Sequence, residues 1–530
     1  MKRLLTCCLV LALLLVPMLA LAADDIQINA TGYPVVNEPL TLHFTYGKND
    51  LTDDLVNIKL IKEIAEKTGI TIEWEYISTD WATIKSTAFM TGELPHGFFG
   101  KGRAAIADAD IMNNLDYFVP LEDLIAEYAP NIQAILDADP IIRAQVTAPD
   151  GHIYTLPQRM PLRPATYDVG FINQVWLDNL GLEMPTTTEE FRDVLRAFKE
   201  QDANGNGDPN DEIPMTFTVA AAGTAINDLS GPLSLLGAFG IADSMDNRLL
   251  MVENDTAIYW PIDPRYKDAI IYLNSLNAEG LIDIEAFTQD FGQTTAKYRN
   301  PDVTIVGVGF HWTIPAGVTI HEDEYVQLLP LKGPNGDQLW RRNDAKNKGG
   351  RNYFAITTLN PSPEATIRFM DEFYAPENSL QAYFGSLDVG LKKEDDGTYS
   401  LLPPQDGMSE DAWMWKNGLN DSGPLYVSEE MEALVNRNPW INVKLNYDEA
   451  YAPYLPEQYY PPVYWSSEQS NEITMLNADI QKFVVEKMAQ WVTAGGIEEE
   501  WDSYLEQLKK MNVDRLVEIY QEGYNTFHGK

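Results

Sequence analysis

The run Asp202-Ala-Asn204-Gly-Asn206-Gly207-Asp208-Pro-Asn210-Asp211-Glu212 puts an oxygen-bearing side chain at every second position and then a glycine. Such spacing makes a tight loop with its oxygens turned inward. Roughly six to eight hard oxygens at about 2.3–2.6 Å suit calcium. Asp202, Asn204 and Asn206 read as side-chain ligands and Asp208 as a carbonyl ligand; Asp211 or Glu212, or both, complete the shell. Position twelve is Ile213, and the residues after it look like a strand. The loop therefore starts like an EF-hand and then joins a helix to a strand. Its expected role is structural, because the ligands are spent on the ion and pin a surface turn. A metal-free Asn/Asp/Gly turn is the plainer alternative.

Aromatic residues are the second chemical resource, with 12 Trp, 26 Tyr and 19 Phe. Tyr46, Trp81, Phe98, Phe99, Tyr154, Tyr167, Trp312, Trp340, Tyr464 and Trp465 fall in segments that look like loops at strand ends. A ring offers a flat apolar face, as does the C–H face of a pyranose, while carboxylates, amides and guanidinium groups take the hydroxyls. Most such rings simply pack in cores, so any one alone is weak evidence. Trp312 and Trp465 stand out, Trp312 because it follows a strand-like run. Trp176, Trp491 and Trp501 sit in helical patterns and read as core.

Catalytic arrangements are scarce. The six histidines, His43, His96, His152, His311, His321 and His528, form no HxxxH or HExxH pair. There is no G-x-S-x-G elbow and no glycine-rich phosphate loop. With 79 carboxylates some acidic pair always exists, so none is singled out. The expectation is no enzyme. Thirty-eight basic against 79 acidic residues give a net charge of −41. That charge repels phosphate backbones, so no nucleic-acid partner is expected.

The elements that must hold these residues are legible in the periodicity. Lys2 and Arg3, an apolar run over 4–21 and the small residues Ala20 and Ala22 read as a signal peptide over 1–22. Cys7 and Cys8 would leave with it, so the exported chain would have no thiol or disulfide. Residues 23–37 read as a surface leader. Leu40 to Tyr46 alternates as a strand. Thr52 to Asp54 start a helix with Leu55, Ile58, Ile61, Ile64 and Ala65 on one face, ended by Gly69. Ile70 to Ile77 is a second strand, and a helix covers 80–91. Further on, Thr186 and Glu189 fit a capping box. Met215 to Ala220 and Thr304 to Phe310 are strand-like, and three amphipathic helices close the chain. Strands alternating with helices argue for α/β sheets covered by helices.

Longer stretches carry a family likeness. They are Phe171-Ile-Asn-Gln-Val-Trp176-Leu-Asp-Asn-Leu-Gly-Leu with Pro185-Thr-Thr-Thr-Glu-Glu-Phe191, then the calcium loop closing in Asp211-Glu-Ile-Pro214. Pro149-Asp-Gly-His-Ile-Tyr-Thr-Leu-Pro157, Glu279 to Phe287 and the helices from Trp501 to Tyr524 extend it. The chain resembles the carbohydrate-specific extracellular solute-binding proteins of bacterial ABC importers, in the large calcium-bearing branch that includes alginate-oligosaccharide-binding proteins. The resemblance implies a two-lobed, periplasmic-binding-protein-like α/β fold of the second type, with hinge crossings near Thr166, Arg351 and Leu455. The first lobe would take 38–166 and 352–455, the second 167–351 and 456–530.

By that pattern Trp312 would enter the cleft from the second lobe, and Tyr46, Trp81 and Phe98 from the first. Tyr167, Trp340, Tyr464 and Trp465 are the remaining ring candidates. The implied function is capture of a carbohydrate and delivery to the membrane subunits of an importer, by an extracellular or periplasmic monomer with structural calcium. A secreted glycosidase or lyase, or a surface sensor or adhesin, is the alternative. The negative chain disfavours an anionic ligand, although Arg163, Arg341, Arg342 and Arg351 would make a local exception.

Overall fold

Alternation of apolar and polar residues sets the first strand. Leu40–Gly47 buries Leu40, Leu42 and Phe44. It pairs in parallel with Ile70–Ile77, Leu40 facing Ile70 and Gly47 facing Ile77. The computed structural model describes residues 26–48, 52–161, 165–166, 168–219, 231–242, 249–342, 350–408, 410–436 and 439–530. The first sheet has six strands in the order Leu425–Tyr426, Leu156–Arg159, Gly350–Ile356, Gly97–Phe99, Leu40–Gly47, Ile70–Ile77. Gly350–Ile356 runs antiparallel to both of its neighbours. At Gly97 a side chain would lie 3.0 Å from the rings of Phe44 and Phe354, so any larger residue there has to push the aromatic packing aside.

The second sheet has four strands in the order Tyr325–Leu328, Val169–Asn173, Val306–His311, Ile213–Met215. Every residue of Val306–His311 is buried. Such a strand reads as continuous apolar sequence because both its faces are covered. The strand expected over Met215 to Ala220 pairs only as far as Met215, and the Thr216 amide adds one bond to the Val308 carbonyl. Ala220 lies outside the described residues.

The first helix differs from its expected form. Leu55–Asn57 is a single 3-10 turn, Ile58 is extended, and the α-helix is Lys59–Thr68. The Leu55 amide donates to the Tyr76 hydroxyl at 2.7 Å, which ties the segment to the neighbouring strand before the helix begins. The later capping box is displaced by one residue. Thr187 is the N-cap of Thr188–Glu200, with Glu190 as its reciprocal partner; Thr186 also bonds that carboxylate. The closing helices are Ser467–Ala494, Ile497–Lys510 and Val513–Phe527. Among the described residues no helix is long and apolar enough to cross a membrane.

Two large hydrophobic cores and one small cluster around Phe98 result among the described residues. The first collects residues from Val35 to Leu156 and again from Phe354 to Val435. The second collects residues from Val169 to Trp340 and again from Tyr451 to Tyr524. Each body is thus built from separate stretches of chain. The leader expected over 23–37 is not loose along its whole length: Ile28 bridges Val36, and Val35 and Val36 are buried in the first core. The boundary expected at 455 also differs. Tyr447, Tyr451, Tyr454 and Leu455 pack on the second core, where Tyr451 stacks on Trp340 at 4.6 Å and donates to the Leu328 carbonyl. Residues 1–22, read as a signal peptide, lie outside the described residues.

Removing the cap hydroxyl with Thr187→Ala is expected to cost about 1 kcal/mol in a urea titration. Glu189→Ala is expected to cost less. The reverse order would return the cap to Thr186 and Glu189.

Candidate ligand-binding site

Strand direction brings two polar clusters to the places where the chain passes between the bodies. In the second sheet Val169 lies opposite His311, so the carboxyl end of Val306–His311 sits beside the segment entering at 165–168. In the first sheet Gly350 lies opposite Gln158, next to Gly97–Phe99 and the Gly100–Lys101 turn beyond it. Ligands of open α/β sheets gather at such strand ends.

Arg351 organises the first cluster. Its Nε donates to Asp108 Oδ1 at 2.8 Å, and a second donor reaches the other oxygen of the same carboxylate. The remaining N–H groups meet the carbonyls of Gln145, Pro462 at 2.9 Å and Val463 at 2.8 Å. The guanidinium also lies 4.3 Å from the Tyr464 ring centroid. Burial pushes the Asp108 carboxyl up, but Arg351 and Asn352 more than offset this and hold it below the usual range. Burial lowers Lys101, partly countered by Asp108.

The second cluster gathers around His311 and Trp312. The Lys444 ammonium lies 4.5 Å from the Trp312 ring centroid and 3.4 Å from Thr166 Oγ1. Asp448 accepts from the Thr166 amide at 3.1 Å and from its hydroxyl. Burial lowers Lys444 to about 8, against the pull of Asp448 and Asp168. Asp168 is fully buried, which pushes its carboxyl up despite Arg341 and a hydrogen bond from Ser234. His311 is 7% exposed and stacks on Phe291 at 5.4 Å. Burial, with Arg299 and Lys444 nearby, pulls its imidazole down to about 4.

Of the rings expected in a cleft, Trp312, Tyr464 and Trp81 keep partial exposure. Trp81 donates to the Ala105 carbonyl at 2.7 Å and lines a groove with His43, Glu73 and Thr87, between its helix and the edge of the first sheet. The others pack inside. Tyr46 is fully buried among Trp74, Tyr76 and Phe99, its hydroxyl 3.1 Å from Ser422 Oγ. Phe98 sits in a small cluster with Phe89 and Phe118. Trp340 is in the second core, its Nε1 donating to the Asp168 carbonyl. Trp465 packs there too, against Tyr520 and Gly523. Tyr46 and Phe98 belong to strands of the first sheet, Trp340 and Trp465 to connecting segments, and all four side chains are buried. Tyr167 and Arg163 lie outside the described residues. Sequence spacing does not single out His311, Phe291, Lys444 or Asp168. The available signal is position: His311 directly precedes Trp312 at the end of an apolar strand.

The loop over 202–212 is a web of local bonds. Asp202 Oδ2 accepts from the Gly207 amide at 2.9 Å, Asn204 Oδ1 from the Asn206 amide, and Asn206 Oδ1 from the Asp208 amide. The Asn204 and Asn206 amide groups donate to Asp211. Glu212 Oε1 accepts from the Ala203 amide at 2.9 Å. Two buried oxygens, Asp202 Oδ1 and Glu212 Oε2, have no hydrogen-bond partner among the described residues. Burial pushes the Glu212 carboxyl up. Among the described residues no three His, Cys, Asp or Glu side chains converge as a metal cluster; the expected donor set combines the carboxylates of Asp202, Asp211 and Glu212 with the Asn204 and Asn206 amides and the Asp208 carbonyl.

Two α/β bodies joined by repeated crossings, with polar clusters at the crossing ends of both sheets, define a two-lobed binding protein. The chain belongs to the bacterial extracellular solute-binding proteins, whose family model matches residues 56–379. It is 32% identical over 525 residues, 96% of this chain and 94% of the relative, to the fructooligosaccharide ABC transporter substrate-binding protein FusA of Streptococcus pneumoniae. The structure of FusA with kestose superposes with a TM-score of 0.78 at 30% identity, covering 92% of this chain and 99% of that one. A human-milk-oligosaccharide-binding solute-binding protein of Bifidobacterium longum infantis gives a TM-score of 0.79 at 25% identity, with 92% and 99% covered. The alginate-binding protein AlgQ2 shares the fold, with a TM-score of 0.68 at 20% identity and 93% and 100% covered.

His311 ties stability to pH. Its folded value of about 4 lies below the ordinary value of about 6.5. Its contribution is full above pH ~6.5 and is lost as pH falls toward about 4, because the unfolded chain takes up a proton that the folded chain refuses. The slope is about 1.4 kcal/mol per pH unit. Urea midpoints measured from pH 7 to pH 4.5 should fall less steeply in His311→Gln. Parallel curves would refute the assignment.

Proposed function

We propose that this chain captures an uncharged oligosaccharide between its two bodies and hands it on, chemically intact, to the membrane subunits of an ABC importer. The observation that carries this reading is likeness along nearly the whole chain to a fructooligosaccharide-binding importer component. The site chemistry agrees with it. Trp312 offers a partly exposed ring at the end of a sheet strand. Among the described residues, the cations at the crossings face carboxylates: Arg351 and Lys101 face Asp108, Lys444 faces Asp448 and Asp168, and Arg341 faces Asp168. Charge already neutralised in this way does not select an anionic sugar. The relatives named are binding proteins, and this chain is read likewise as a binder without turnover. It acts as an exported monomer, with residues 1–22 as the export signal and lobe boundaries at the crossings near 166, 351 and between Val435 and Tyr447.

The loop over 202–212 is proposed to hold calcium. A solved form of FusA is an EF-hand mutant. The orphaned Asp202 Oδ1 and Glu212 Oε2 supply two waiting anionic oxygens. Asn204, Asn206, Asp211 and the Asp208 carbonyl stand in the same turn. The ion would neutralise that acidic turn and fix the exit of the Thr188–Glu200 helix; it takes no part in ligand chemistry.

Calorimetry with kestose tests the function, with chromatography of the recovered sugar to check that it is uncleaved. Trp312→Ala should weaken binding by about 1–3 kcal/mol, roughly five- to 150-fold. Unchanged affinity would put that ring outside the site, and cleaved sugar would overturn the binder reading. For the metal, a chelator should lower the melting temperature by roughly 5 °C, as loss of a ligand held well above its dissociation constant does. Asp202→Ala should abolish the chelator's effect. A melt indifferent to chelator would dismiss calcium.

A further inference from the structure

We propose that His311 and Phe291 form a subsite that reads a sugar hydroxyl, with Phe291 as the apolar platform and His311 as a paired donor and acceptor. This subsite rests on the oligosaccharide reading above and deepens it.

The observation is an unsatisfied imidazole. His311 is 7% exposed, yet neither Nδ1 nor Nε2 has a hydrogen-bond partner among the described residues. Buried polar side chains are nearly always paired, because an orphaned donor or acceptor keeps the full penalty of leaving water. Here a single ring carries two orphans. Such a cost is sustained where a ligand or a held water completes the bonds.

The ring is also held in place. Gly317 packs behind it so closely that a side chain there would lie 3.1 Å from His311 Cβ. Thr313 caps the helix Ile314–Val318 that carries this glycine. Phe291 stacks on the imidazole at 29° between planes. Phe291 begins the helix Phe291–Tyr298, fixed by a reciprocal cap between Asp290 and Gln293. It is nevertheless 43% exposed, an unusual state for a ring so firmly placed. Trp312 follows immediately in the chain, at the end of the strand that His311 closes.

The chemistry selects the partner. The imidazole is neutral at pH 7, because burial and the Arg299 and Lys444 charges oppose its protonation. A neutral imidazole has one N–H donor and one bare nitrogen acceptor. A hydroxyl both donates and accepts, so two neighbouring sugar hydroxyls, or one hydroxyl and a water, satisfy both nitrogens. A carboxylate offers only acceptors and leaves one nitrogen orphaned. Sites built to bond a hydroxyl discriminate strongly against analogues that lack it.

The test uses kestose and calorimetry on the full exported chain, with melting curves of the sugar-free protein. His311→Leu removes both orphan nitrogens at similar volume. It is expected to weaken kestose binding tenfold or more while the sugar-free protein melts no lower than the parent. His311→Gln, which keeps a donor and an acceptor, should recover most of the affinity. Phe291→Ala, at a partly exposed position, should weaken binding at least fivefold and guards against misfolding of the histidine variants. Equal affinity of the parent, His311→Leu and Phe291→Ala would overturn the subsite while leaving saccharide capture intact. A parent protein that binds kestose and no other uncharged oligosaccharide of a panel would support a site that reads hydroxyl pattern. A parent that binds none would overturn the function itself. A lowered melting point with unchanged affinity in His311→Leu would make the histidine structural and overturn the proposal.

Discussion

All five N–H groups of Arg351 are committed, two to the Asp108 carboxylate and three to backbone carbonyls at 145, 462 and 463. Asp108 and Gln145 stand with the first body, whereas Val463 packs in the second core. A guanidinium buried to this degree tolerates no missing partner, since an unpaired buried charge costs several kcal/mol. The two bodies are therefore registered against each other by a fork of fixed geometry. Asn352, next in the chain, takes a left-handed backbone with φ of 70° and adds a bond to Asp108 at 2.7 Å. Movement between the bodies must respect this anchor, so rotation about it is easier than sliding past it.

Around that anchor the molecule handles charge by local cancellation. The chain as a whole is strongly acidic, yet the described crossings concentrate lysines and arginines beside aspartates. Burial drives several of these groups toward their neutral forms: Lys444 and His311 downward, Asp168 and Asp448 upward. A site of low net charge, with stacked rings and unsatisfied hydrogen-bonding atoms, suits a polar but uncharged guest. The same physics leaves Asp202 and Glu212 with orphaned oxygens in a surface turn.

Much of the architecture is legible in the chain because periodicity is a local property. Ile70 to Ile77 and the three closing helices can be read from the spacing of their apolar residues alone. The misreadings have either a local or a long-range cause. The helix after Asp54 is interrupted at Ile58, whose backbone is extended, in a segment whose Leu55 amide is tied to Tyr76, 21 positions away. The cap falls on Thr187 instead of Thr186 because adjacent threonines give the same pattern. Ring positions are the least legible part. Tyr46 and Trp312 both belong to strand-like runs or their ends, but Tyr46 turns into a core layer filled by Trp74 and Phe99, and nothing in its own neighbourhood of sequence says so. His311 is hidden in the sequence because an apolar strand conceals a polar residue at its end until the fold shows no hydrogen-bond partner for it among the described residues.

The ammonium of Lys444 against the Trp312 indole has one further consequence. A positive charge near an indole shifts its excited-state energy, and this one loses its proton near pH 8. Trp312 is thereby a native optical gauge of its own surroundings. Its emission would follow both the titration of the lysine and any guest that displaces it, against a background of tryptophans such as Trp176, Trp260 and Trp491, which are sealed from solvent.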